Sequence, residues 1–473
     1  MYTTTIDPVI GIHSLPNEIL CQIFLFVVSR NPGEYSVSEL ELSYVCSRWN
    51  AVALSLPSLW SSICVLAHED SESEAVRRLT ELYLGRSGTG PLDLFLHIRE
   101  ASSLMDLLCT QAYRWRRFHL VTKAHRNFLD LGFTELSSLE SLSLALDDQF
   151  PIDASSKGRM WFNAPRLHTL SLDMTIFELE QFELPWHQLR HLRMEYLNLD
   201  QMHKILCLCT SVVTATFISC ANDFSFRDPV PYTCLFLSSL TIIASHRLET
   251  LGPDITHCIY PSLSELTLIS GSQEFSFSHG IVPNLTSLVI RSGCHLTSLT
   301  LHGISYSSKH LMELLQAISP SLVKLDLCDV DHRAWNFLQL QKWLIQALIW
   351  LPTPGFTVLG SEMSLSQAPG HLLPHLKEFG IRFPGSRRDE SIDRVKLGEV
   401  LKMVESRRPS STTSESTSRT RGLGRSIVND SDTCLGTVLE TLHLGRLWNT
   451  RIPLEFNNRL RALKDDGLEI TAL

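Results

Sequence analysis

With 473 residues, 44% hydrophobic and 19% charged, the chain has enough apolar surface to offset the entropy of ordering its backbone. Disorder throughout is excluded, and the length asks for several domains or an array that grows unit by unit. A formal net charge of −9 speaks against nucleic acid as a partner, because phosphate binders concentrate Lys and Arg. Twelve cysteines are scattered singly from Cys21 to Cys434, the distribution of reduced thiols, which points to cytosol or nucleus. The first residues show no basic stretch followed by an apolar core, so secretion is not expected. Three uncharged stretches (205–222, 229–245 and 343–361) are broken up by Ser, Thr, Gln or Pro, so no membrane span is expected either.

After a tail over residues 1–11, the chain reads LPNEILCQIFLFVV from Leu15. Pro16 suits the first turn of a helix and Glu18 complements the positive end of its dipole. Ile19, Ile23 and Val27 recur every four residues with Leu20 and Phe24 beside them, giving one broad apolar face. RNPGEYS (30–36) breaks the helix. ELELSYVCSRWNAVAL then places Leu42, Val45, Cys46, Trp49 and Val52 at helical spacing and ends at LPSLW (56–60). Two or three short helices of about fifty residues in all are predicted, too few to be very stable alone.

The series Leu15-Pro16-x-Glu18-Ile19-Leu20-x-x-Ile23-Phe24, then Val45-Cys46-x-x-Trp49, then Leu59-Trp60, resembles the F-box in order and spacing, over residues 12–66. That resemblance implies a module that docks on the Skp-type adaptor of a cullin-based ubiquitin ligase. It implies that Leu15, Pro16, Ile19, Leu20, Ile23 and Phe24 face the adaptor, with Val45, Cys46 and Trp49 packing or completing the face. Without the resemblance, the same helices read as a cap that closes the end of a repeat array.

Beyond residue 66, helical and strand patterns alternate: SEAVRRLTELYLGR (73–86) as helix, LDLFLHI (92–98) as strand, residues 102–115 as helix, RFHLV (117–121) as strand. From Leu139 the pattern becomes L-x-x-L-x-L, starting at 139, 167, 189, 237, 263, 285, 296 and 322, with a weaker copy at 212 and later copies at 376 and 439. The steps between 139 and 285 run from 22 to 28 residues, within the leucine-rich-repeat period of about 20–29. An α/β solenoid over 67–473 is expected, with a curved parallel sheet inside and helices outside. Polar residues between the leucines should line its concave face: Arg190, His191 and Arg193; Ser264, Glu265 and Thr267; Lys324 and Asp326. The Asn or Cys that follows the strand in regular arrays is matched only by Cys220, so the body resembles the irregular repeats associated with F-boxes. Residues 406–433, rich in Ser, Thr and Arg, read as a disordered insertion in which Arg407-Arg408-Pro409-Ser410 is a candidate kinase site.

No phosphate-cradling, zinc-protease or nucleophile-elbow motif is present. Cys207-Leu208-Cys209 reads as two buried thiols, and His125, His187, His191 and His203 lack metal spacing. Neither a metal nor a cofactor is expected. The expectation is a non-catalytic ligase subunit that holds an unknown target protein; the alternative is a repeat scaffold with no ligase attached.

Overall fold

The structure, a computed structural model, describes residues 12–28, 39–66, 74–98, 103–122, 136–146, 160–161, 163–173, 182–218, 232–244, 258–270, 281–304, 306–328, 344–349, 372–382, 390–408, 438–445 and 454–472. They fall into two units, Met1–Glu195 and Tyr196–Leu473. Among them no helix is long and apolar enough to cross a membrane.

The first unit begins with the expected helices, α1 (Asn17–Val28), α2 (Glu39–Tyr44) and α3 (Ser47–Leu54), followed by a 3-10 turn at Pro57–Trp60. The apolar period that runs through residues 39–54 is cut at Cys46. Its backbone is extended and its Sγ accepts the Trp49 amide (3.4 Å), so Cys46 caps α3 where a continuous helix would have run on. Next come β1 (Ser62–Leu66), α4 (Glu74–Arg86), β2 (Leu92–Ile98), α5 (Ser103–Cys109), β3 (Trp115–Thr122), β4 (Ser141–Leu146), β5 (Thr169–Asp173) and β6 (His191–Glu195). The six strands pair in chain order and all pairs are parallel.

The second unit holds α6 (Leu199–Leu208), β7 (Thr214–Ile218), β8 (Ser239–Ala244), β9 (Glu265–Ser270), α7 (Ile281–Ser292), β10 (Ser298–His302), α8 (Ser308–Ile318), β11 (Lys324–Cys328), β12 (Glu378–Arg382), α9 (Glu390–Ser406), β13 (Thr441–Gly445), α10 (Leu454–Asp465) and β14 (Glu469–Ala472). Strands β7 to β14 also pair in parallel and in chain order.

Each L-x-x-L-x-L copy that forms a strand does so two residues after its first leucine. The fourth and sixth positions then stack across the sheet: Leu240, Leu266, Leu299, Leu325, Phe379 and Leu442 form one row. No member of that row is more than 2% exposed. Each such side chain contributes about 1.5–3 kcal/mol of gross burial energy, so a single unit cannot offset the ordering of its own backbone. Between leucines, one carbonyl per repeat accepts two successive amides of the next: Ser264 O takes Thr297 N and Ser298 N, and Thr297 O takes Val323 N and Lys324 N. This recurring bond fixes the register, which is why the polar positions also line up in rows.

Three expectations are corrected. The copy at 285 is the helix α7. Its leucines at 285 and 288 suit either period, but a strand would bury Ile290, which is 69% exposed, and a helix buries Val289, as found. The step from the copy at 263 to that at 296 is therefore a single 33-residue repeat. Secondly, the curved sheet is not found: neither sheet closes or curls. Curvature requires a return side wider than the strand side, as a helix of about 10 Å is against strands about 4.8 Å apart. In several repeats the return side is itself extended, pairing Met160–Trp161 with Phe182–Glu183 and Tyr232–Thr233 with Cys258–Ile259, at strand spacing. Thirdly, Ser406, Arg407 and Arg408 belong to the folded body. Arg407 is 1% exposed, and its guanidinium donates to the carbonyls of Leu348 (3.0 Å), Leu372 (2.8 Å) and Leu373 (2.9 Å). Arg408 donates to Leu439 O (2.6 Å) and pairs with Asp466 (3.3 Å). Burial pushes the Arg407 pKa down to about 10, so it stays charged at neutral pH. Residues 409–433 of the expected insertion, Ser410 with them, and Cys220 lie outside the described residues.

Candidate functional site

Helix α1 is apolar nearly all round, and among the described residues it is buried fully on one side only. Leu20 and Phe24 point inward and are 0% exposed; Phe24 packs on the Trp49 ring at 4.9 Å. A second stripe lies roughly 120° away by helical geometry: Leu15, Ile19, Ile23 and Phe26, with Pro16 beside Leu15. Pro16, Ile19 and Phe26 are exposed, Phe26 at 73%, and Leu15 and Ile23 are half-buried. The F-box resemblance implies that Leu20 and Phe24 face another molecule; the structure makes them the module's own core. The reason is their offset of one position from Ile19 and Ile23, which on a helix turns a side chain by about 100°.

Of the other expected residues, Val45 is exposed, Cys46 is half-buried as the α3 cap, and Trp49 is half-buried against Phe24. Phe26, Tyr44 (78% exposed), Ile12 and Leu54 were not singled out from sequence, yet all are exposed apolar or aromatic residues of the same short module. The signal for Phe26 was present: it continues the 15, 19, 23 spacing by three. Arg48 fixes the start of the stripe, donating to Asn17 Oδ1 from both Nε (3.0 Å) and Nη2 (2.8 Å) and to the Leu15 carbonyl.

The module is held to the following repeat by an aromatic latch. Trp60 is fully buried, its indole NH donates to Ala53 O (2.9 Å), and its ring meets Tyr83 of α4 edge-on at 5.2 Å, with the Arg86 guanidinium 4.3 Å from the ring centre. Tyr83 in turn donates its hydroxyl to Glu39 Oε2 at 2.9 Å. Burial raises the Glu39 carboxyl pKa against the opposing pull of a backbone hydrogen bond and of Tyr83. Burial and the neighbouring Glu39 charge raise both the Tyr83 hydroxyl and the Cys64 thiol.

The expected concave residues lie on the open sheet faces. In the first unit Arg190, His191 and Arg193 are exposed, with Arg193 paired to Glu195 at 2.7 Å. Three strands away in the same unit, Arg116 and Arg117 both reach the Asp93 carboxylate, at 2.5 and 2.6 Å. Burial would raise the Asp93 pKa, but the bonds and charges of the two arginines outweigh it and hold the group below the usual carboxylate range. In the second unit Glu265 is exposed; Ser264, Thr267 and Lys324 are half-buried, and Lys324 pairs with Glu378 at 2.9 Å. Asp326, expected to be open to a partner, is buried to 8% exposure. Its Oδ2 lies 3.0 Å from His302 Nε2, and its carboxylate occupies the space that a Cβ on Gly380, the residue beside it in the sheet, would fill.

The two thiols expected to be buried at 207 and 209 also separate, with Cys207 exposed and Cys209 buried. Among the described residues no group of three His, Cys, Asp or Glu side chains is placed to hold a metal ion. The family model described as F-box-like matches residues 12–66, the span of the helical module with β1. No curated protein matches the chain.

Proposed function

We propose that this chain is the substrate-recognition subunit of a Skp-cullin-F-box ubiquitin ligase, non-catalytic itself and resident in cytosol or nucleus. The F-box-like domain at 12–66 docks on the adaptor, and the leucine-rich repeats from 67 onward hold a target protein. The observation that carries the reading is the α1 stripe, a row of apolar side chains that is half-buried at Leu15 and Ile23 and exposed at Ile19 and Phe26, inside the matched domain. Exposed apolar rows of this kind mark contact with another molecule. Burial of Ile19 and Phe26 against an adaptor would contribute about 1.5–3 kcal/mol each before the costs of association. Leu15, Pro16, Ile19, Ile23 and Val45 are the adaptor contacts in this reading, joined by Phe26. Leu20, Phe24, Cys46 and Trp49 shape the helices behind them.

Titration calorimetry of the purified full chain against a purified Skp-type adaptor tests this. We expect binding that weakens at least tenfold in Ile19→Asp, with circular dichroism unchanged. If the unaltered chain does not bind, the ligase reading fails and a repeat scaffold without ligase attachment takes its place.

A further inference from the structure

The open face of the second unit divides into two chemical zones. Across β7 to β10, Thr216, Thr241, Thr267 and Thr300 stand in one register row. One step along the strands, Ile218, Ile243 and Ile269 form a second row, all half-buried. The row on the other side is Thr214, Ser239, Glu265 and Ser298, so in three rows these four strands carry one carboxylate, with His302 completing the isoleucine row on β10. A charged side chain placed over them would lose water and gain no partner, whereas an apolar one would gain by burial. From β11 to β14 the face is charged, and its sign is lopsided. Lys324 pairs with Glu378 and Lys377 with Glu440, which uses both lysines; Asp326 sits beside His302, and Glu469 is exposed with no cation paired to it among the described residues. With Glu265, carboxylates outnumber Lys and Arg by five to three, the third cation being Arg382 of β12, in the register row of His302 and Cys328.

We infer that this face takes a basic amphipathic segment of the target protein, with apolar side chains over the threonine and isoleucine rows and Lys or Arg toward β11 to β14. This rests on the reading of the repeats as the target-holding part, and it names the chemistry of that target. An acidic segment is the worse fit on this face, where it meets surplus carboxylate. Complementary charge of this exposed kind governs association and is screened by salt.

The probes are short labelled peptides of leucine and lysine, of leucine and glutamate, and of serine and lysine, titrated into the full chain by fluorescence anisotropy. The leucine–lysine peptide is expected to bind, less tightly as salt is added, with the other two weaker by at least about tenfold. Glu265→Lys with Glu469→Lys, both at exposed positions, should weaken it by about tenfold, as should Thr267→Arg. Arg193→Glu, on the other unit, should leave it unchanged. The inference is overturned if the leucine–lysine peptide does not bind, if either other peptide binds as tightly, or if the second-unit variants have no effect. Adaptor binding measured on the same preparation separates the two ideas: its absence removes the ligase reading and leaves the peptide result standing.

Discussion

The helical module and the sheets handle apolar residues in opposite ways. Along the sheets, the leucine rows close on themselves, each strand covering its neighbour's row until nothing apolar in them is left open. In α1 the same kind of residue is divided between an inward pair, Leu20 and Phe24, and an outward stripe ending at Phe26. Stacking supplies the missing half of each repeat from within the chain. The module stacks no leucine row of this kind, and among the described residues its outward stripe stays partly exposed. In the proposed reading, stability and docking are carried by different residues, even where they are adjacent in sequence.

That separation can be broken first at Trp60, which belongs to both regions. It is buried in the module, yet its ring faces Tyr83 and Arg86 of the following helix. Trp60→Ala should cost about 3–5 kcal/mol by denaturant titration. Because Trp60 bridges both, the signal from the helices and the signal from the first sheet should shift together. If the helices melt separately and the sheet keeps its midpoint, the module is an appendage and the latch is incidental.

A smaller effect is expected at Gly380, where an added Cβ would meet the Asp326 carboxylate at 2.5 Å. Gly380→Ala forces that side chain away from His302 and should cost about 1–3 kcal/mol. In an Asp326→Ala background most of the penalty should disappear, since the two sites share one space. Additive losses would mean that the strand itself, and not the carboxylate, resists the methyl group. The outcome bears on the comparison because it asks whether the polar face of the sheet is merely solvated or is partly packed like the apolar one.

Phe26→Ala should do the reverse of Trp60→Ala. Its side chain is 73% exposed, so unfolding stability should change by less than about 0.5 kcal/mol, while adaptor affinity should fall about tenfold. A large loss of stability with unchanged affinity would place Phe26 in the core and move the docking face elsewhere.

How much of this was legible in the sequence follows from what each pattern leaves open. The leucine rows were legible because L-x-x-L-x-L fixes both period and direction: ten of the expected copies, from 139 to 439, became strands beginning two residues in. The copy at 285 failed because the spacing of 285 and 288 is shared by both periods; only the burial of Val289 in place of Ile290 decides between them. Strands β1 and β14 were missed, since SICVL and EITA lack the leading leucines and are recruited only by the pairing edge of a neighbour. Arg407 was read as solvated because its neighbours are polar, and nothing local announces that three carbonyls from distant segments converge on it. In α1 an apolar residue at nearly every position showed that something must be buried, but not which stripe the chain itself would cover.

The smallest expected effect lies at Glu39, where the module touches the first repeat through Tyr83. Its carboxyl titrates above the ordinary value of 4.5 because burial disfavours the ion more than Tyr83 and the backbone favour it. The folded chain therefore holds that proton more tightly than the unfolded chain. The resulting stabilisation is complete below the unfolded pKa and is lost as the pH rises through the folded one, so at neutral pH the carboxylate is a net cost. Glu39→Gln keeps an oxygen to accept the Tyr83 hydroxyl and removes the charge. Its melting temperature at pH 7 should rise by about 1–2 °C, and the gain should vanish near pH 4. Loss of the Glu39 charge also removes one of the two influences that raise the Cys64 thiol, so alkylation of Cys64 should quicken in the same variant. A lower melting temperature at pH 7 would mean that the charged bond to Tyr83 outweighs burial, and that the contact between module and repeat is held by an ion where the aromatic latch was thought sufficient.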